Sequence, residues 1–222
     1  MADPPIDIAE EVTPKKAFVW AVDWPGWCRS GKDSRLAIAS LIDHAERYAK
    51  VARAAGVDFP TMEVGDLLTV ESVGGGVGTE FGVPWSVTKL DRKRVTAAEA
   101  ERIASLVGAA WTILDGVAAK APPTLRKGPR GGGRDTAKMV GHVIEADHAY
   151  AREIGVRLKP PSPTDREAVR AERAAMLDVL RQPTDGSPLA ERKWTLRYAA
   201  RRIAWHALDH AWEIEDRTEP TE

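Results

Sequence analysis

From residue 96 onward one pattern recurs: a capping signal, a long apolar stripe, then prolines or a Gly-rich break. Thr96-Ala-Ala-Glu99 matches a capping box, in which hydroxyl and carboxylate satisfy each other's free backbone N–H groups. Ile103, Leu106, Val107, Ala110, Trp111, Leu114 and Val117 follow at helical spacing, and Pro122-Pro123 closes the segment. Asp135 or Thr136 opens a second helix to about Ile154, and Thr164-Asp-Arg-Glu167 opens a third to about Arg181. A fourth begins near Trp194 and runs to about Arg217. Four consecutive amphipathic helices of about 20 residues predict a four-helix bundle over 91–217.

The first 90 residues read differently. Residues 1–14 hold three prolines and several acids without periodicity, which predicts a flexible tail. Residues 15–90 mix signals and predict a small α/β module. Ala17-Phe-Val-Trp-Ala-Val22 suits a strand stopped by Pro25-Gly26, a helix follows from Asp33 to about Gly56, and Leu67-Leu-Thr-Val70 reads as a second strand. The predicted class is therefore mainly α, a helical bundle preceded by a small α/β module.

Charge narrows the function classes. Thirty-two Lys and Arg stand against 33 Asp and Glu, so no global field attracts nucleic acid or anionic membrane. The charge-free stretch Ile103–Leu114 is shorter than the about 20 residues that a bilayer span requires. An acidic start without an apolar core is unlike a signal peptide, and the single cysteine, Cys28, forms no internal disulfide. A reducing cytoplasm and a small-molecule substrate are the expectations, with no nucleic acid and no membrane as partner.

Chemistry concentrates late in the chain. His206 and His210 are four positions apart, so a helix places them on one face, one turn apart. Their face carries Ala199, Ile203, Ala207 and Ile214, which points both rings inward. His142 shares its stripe with Met139, Val143, Ala146 and Tyr150. Three imidazoles from two helices can converge and hold a divalent ion, and three protein ligands leave a position open for water or substrate. Neutral, hydrogen-bonded core histidines are the alternative that the pattern leaves open.

Gly141-His-Val-Ile-Glu-Ala-Asp147 and Ala204-Trp-His-Ala-Leu-Asp-His-Ala-Trp212 resemble helices two and four of the DinB superfamily. The resemblance covers 91–217. It implies a DinB-like four-helix bundle with a divalent metal, zinc or nickel, on His142, His206 and His210. Some members are thiol S-transferases that use bacillithiol or mycothiol, so a low-molecular-weight thiol is the implied cosubstrate. Many relatives continue with Arg-Gly-Gln where this chain has Ala211-Trp-Glu-Ile, so the likeness bears on the ligands more than on the substrate. Separately, Val22-Asp-Trp-Pro-Gly-Trp-Cys-Arg-Ser-Gly-Lys-Asp33 before a helix is similar to HicB-like modules, which dock a partner toxin.

Other groups are candidates beside a bland reading. Glu145 and Asp209 could orient ligand imidazoles from a second shell, or be solvated surface. Glu213, on the face of His210, could be a catalytic base. Lys120, Arg126, Lys127, Arg130 and Arg134 could form an anion-binding rim, or a solvated linker. His148 lies off the stripe and is expected to be exposed, His44 carries no role, and Cys28 is passive. The expected function is a metal-dependent thiol S-transferase, or a related hydrolase, acting on small electrophiles. The alternative is a non-catalytic binding or regulatory protein with a metal-free bundle and a partner-docking N-terminal module. Helix faces of this kind commonly pair, so a homodimer is possible.

Overall fold

The computed structural model describes residues 5–60, 66–127 and 133–218. Its centre is a four-stranded mixed sheet in the order β3-β2-β1-β4, formed by β1 (Ile6–Val12), β2 (Ala17–Ala21), β3 (Cys28–Gly31) and β4 (Leu67–Gly74). The first three strands form antiparallel hairpins, and β4 returns parallel to β1. That crossover contains α1 (Ser34–Asp43) and α2 (Ala45–Ala54). A one-turn helix, α3 (Val77–Glu80), follows β4. Four longer helices complete the chain: α4 (Ala97–Lys120), α5 (Thr136–Glu153), α6 (Arg166–Leu180) and α7 (Leu196–Arg217).

This is a mixed α/β fold, and it corrects the predicted four-helix bundle. A bundle helix keeps one face for solvent. In α7 apolar side chains are buried around the whole circumference, because sheet and helices both press on it. The apolar core is continuous across residue 90. Ile8, Val19, Leu41 and Tyr48 share it with Ala104, Leu106, Ile203 and Leu208. On the other side of the sheet, Phe18, Trp20 and Cys28 pack with Trp205 of α7. Among the described residues α4 is long and apolar enough to cross a membrane by length and composition. Its Ile103, Leu106, Val107 and Leu114 are buried in this core.

The predicted tail contains β1, the strand between β2 and β4. Its signal is masked by its acids. Ile6 and Ile8 are buried, and so is Glu11, whose carboxylate accepts from the backbone N–H of Trp85 (2.8 Å) and Ser86 (2.7 Å) and from the Thr79 hydroxyl. A buried carboxylate needs such partners, and they lie more than 65 positions away in sequence. The single helix predicted from Asp33 to Gly56 is broken at His44, whose backbone (φ −98°, ψ 2°) leaves the helical range. The Thr96–Glu99 capping box forms as read, whereas α6 is capped by Asp165, not Thr164.

The Trp24–Trp27 turn joins the halves. Gly26 has φ +92°, and a Cβ there would sit 2.8 Å from Leu208 Cδ1 and 2.9 Å from Ala204 Cβ of α7. Trp27 donates to the Leu41 carbonyl at 2.9 Å and stacks on Tyr48, whose hydroxyl donates to the Pro25 carbonyl. After this turn the chain runs back as β3 before α1 begins, so the HicB-like strand–turn–helix has a further strand inserted.

Candidate metal centre

Helix α5 begins beside Asp135 and α7 is capped by the Thr195 hydroxyl, which accepts from the Tyr198 N–H. These starts, and the apolar stripes that follow, fix which faces meet. The result brings His142 of α5 against His206 and His210 of α7. One nitrogen from each ring lies within 4.8 Å of the others. Among the described residues no other group of three or more His, Cys, Asp or Glu meets this spacing, and no fourth residue joins this one. His206 and His210 are buried, and His142 is half-buried and forms the solvent side.

The ring edges identify the donor atoms. Nε2 of His142 and Nε2 of His206 are 3.3 Å apart. Two nitrogens each about 2.0–2.1 Å from one tetrahedral ion stand about 3.3–3.4 Å apart, so this pair fits a common ion. Nδ1 of His210 lies 3.1 Å from Oε2 of Glu213. An ionised carboxylate only accepts, so Nδ1 carries the proton and Nε2 keeps its lone pair. Glu213 is itself held by Arg217, whose Nη1 donates to Oε1 at 2.8 Å. Nδ1 of His206 is buried without a hydrogen-bond partner among the described residues.

Electrostatics favour neutral rings. Burial, then His210 and His142, push His206 down to about 2. Burial also lowers His142, followed by the charge of Arg134 and then His210. The lowered His206 and His142 are held in the neutral form that a metal requires of its imidazole ligands. Glu213 is lowered from the ordinary carboxylate value, first by the hydrogen bond with His210.

The remaining candidates scatter. Asp209 turns away from the imidazoles and pairs with Arg29 of β3 at 2.7 Å, which corrects its second-shell assignment. Glu145 is exposed and bonds no imidazole, although its charge raises His142 through space. Glu213 contacts Nδ1 of the His210 ring, the position from which it would orient that imidazole. The basic segment is not one rim. Arg126 donates to the Asp216 carbonyl, Lys127 pairs with Asp135, Arg134 is exposed near the histidines, and Arg130 lies outside the described residues. His148 is half-buried, not exposed, with Nδ1 2.6 Å from Oε1 of buried Glu172. Burial pushes the Cys28 thiol up to about 12, consistent with a passive residue.

Sequence reasoning put Tyr150 on the His142 stripe but gave Tyr150, Trp205 and Arg202 no role as walls of the site. Tyr150 and Trp205 pack on the His206 ring with centroids 5.8 Å away, and Arg202 lies over both aromatic rings at 5.4 Å. Burial raises the Tyr150 phenol, which keeps it neutral. Helical spacing held the signal for Tyr150, which is eight positions after His142 on the same stripe.

No protein-family model, no curated protein and no solved structure matches the chain. The site therefore stands on its own geometry.

Proposed function

We propose that the chain is a divalent-metal-dependent enzyme of the DinB-like kind, with zinc or nickel held by His142, His206 and His210. The observation that carries this reading is the convergence of three ring nitrogens within 4.8 Å, one of them on a ring oriented by Glu213. Three neutral ligands leave the ion its charge and an open position. An ion there would acidify a ligated thiol or water and hold the anion for attack. Transfer of a low-molecular-weight thiol to an electrophilic small molecule is the reaction favoured, with hydrolysis as its close variant.

The protein's own residues have defined tasks in this scheme. His142, on the solvent side, marks the entrance. Tyr150 and Trp205 exclude water from the inner face of His206. Arg134 and Arg202 lend positive potential, which disfavours protonation of His206 and suits an anionic substrate.

Elemental analysis of purified protein tests the reading. About one zinc or nickel per chain is expected, lost in His142→Ala and His206→Ala while circular dichroism reports an unchanged fold. Thiol consumption with a model electrophile should disappear in the same variants. A folded wild type without metal after growth in replete medium would leave the binding-protein alternative.

A further inference from the structure

A second site lies on the other side of α5. Between α4, α5 and α6 is a groove of about 570 Å³, within the ~300–1,000 Å³ of ligand sites. Val140 and Ile144 of α5 line it together with Ala118 of α4 and Val169 of α6. At about 100° per residue, His142 projects roughly 160–200° away from both α5 residues, so the groove is separate from the metal centre.

Arg166, Arg170 and Arg173 all line the groove from α6. Their spacing places them along one helix face. Arg173 is buried and committed. Its Nη1 donates to both carboxylate oxygens of Asp115 at 3.1 and 3.0 Å, its Nε is 3.4 Å from Asp147, and its guanidinium lies 5.2 Å from the Trp111 centroid. Nε and Nη2 of Arg173 are buried without a hydrogen-bond partner among the described residues, Nε having only the ion pair with Asp147. Asp115 is the one carboxylate among the described lining residues, and Arg173 already holds it. The side chains of Arg166 and Arg170 are exposed and, among the described residues, have neither an ion pair nor a hydrogen bond. Two uncommitted guanidinium forks, one turn apart beside an apolar floor, match an oxyanion on an apolar body.

We propose that this groove binds a small amphipathic oxyanion, an aliphatic chain ending in a carboxylate or phosphate. Its head group sits on Arg166 and Arg170, and its chain lies along Val140 and Ile144. The groove shares no residue with the metal centre, so neither proposal depends on the other.

Calorimetric titration of the full chain with decanoate, decyl phosphate and decanol, each below its micellar concentration, tests the proposal. Saturable 1:1 binding of decanoate or decyl phosphate is expected, and the stronger of the two identifies the head group. Arg166→Ala/Arg170→Ala should weaken the anion roughly tenfold or more and leave decanol unchanged. Ala137→Trp, at an exposed lining position, should block all three ligands. Metal content should stay at the wild-type value in both variants, which separates this site from the other. Equal anion affinity in the double variant and wild type, unaltered binding in Ala137→Trp, or no saturable binding of either anion would overturn the proposal.

Discussion

Replacing His206 with Phe keeps an aromatic ring in the triad and removes its proton site. The expected effect follows from burial. His206 titrates at an ordinary 6.5 when unfolded and at about 2 in the fold, because burial and two neighbouring imidazoles oppose its charge. A depressed histidine makes the unfolded state bind more protons, so stability falls as pH drops below 6.5. At pH 4.5, two units below the unfolded value, the loss is about 2.7 kcal/mol at about 1.36 kcal/mol per unit. Folded His206 stays neutral throughout, since pH 4.5 is still above its value in the fold. Asp147 works with the opposite sign. Burial lifts it from 3.8 to about 7, so its contribution is present below 3.8 and lost as pH rises through about 7. It is common to both proteins and cancels in their difference. Urea unfolding of wild type and His206→Phe in chelator, from pH 7.5 to 4.5, gives that difference. The variant should gain about 2.7 kcal/mol on the wild type over this range. A difference constant within about 0.5 kcal/mol, the usual scatter for surface changes, would refute the buried, neutral state of His206.

Two further outcomes follow from named contacts. Glu213→Gln should weaken metal binding roughly 10–100-fold without abolishing it, measured by competition with a chromophoric chelator. An effect as large as that of His210→Ala would instead make Glu213 a ligand. Arg201 and Asp91 form a buried ion pair at 2.6 and 2.9 Å, with Arg201 also donating to the Ser86 carbonyl. Burial opposes the Arg201 charge, and its neighbours, Asp91 foremost, more than offset that. Arg201→Ala should therefore cost about 3–5 kcal/mol by leaving Asp91 unpaired, whereas Arg201→Met/Asp91→Leu should recover most of that loss in urea unfolding.

The legible parts of this protein are local. Thr96-Ala-Ala-Glu99, the proline breaks and the His206/His210 spacing act within one or two helical turns, so the sequence carries them directly. The convergence of His142 with that pair was readable because each ring lies on an apolar stripe. What failed to show is non-local. β1 looks like a solvated tail because Glu11 finds its partners at Thr79, Trp85 and Ser86. Asp209 sits next to His210 in sequence, yet its partner is Arg29, 180 positions away. Asp147, Glu172 and Arg173, to which the sequence assigns no role, form a buried cluster between α4, α5 and α6 with Asp115 and His148. In each case the cost of burying a charge is met by a group whose proximity only the fold creates.

That non-local pairing also explains why the three-histidine cluster depends on the sheet. Arg201, Trp205, Leu208 and Trp212 follow one another at fours and threes along α7, and Ile203, His206, His210 and Ile214 do the same on the opposite side. The first row is gripped by the N-terminal half: Trp205 by Phe18 at 5.9 Å, and Trp212 by the Arg29 guanidinium at 4.7 Å and the His44 ring at 5.2 Å. Arg201 lies over Trp20 at 4.2 Å and is locked to Asp91. Gly26 lets the turn come within contact of Ala204 and Leu208. A helix held this way along its back cannot roll, and rolling by a few tens of degrees would swing His206 and His210 off the shared point. Positional precision of a metal site comes from such support behind the ligands. The α/β half is thus the rear wall of the centre, and this arrangement is the physical reason a free-standing bundle would not suffice.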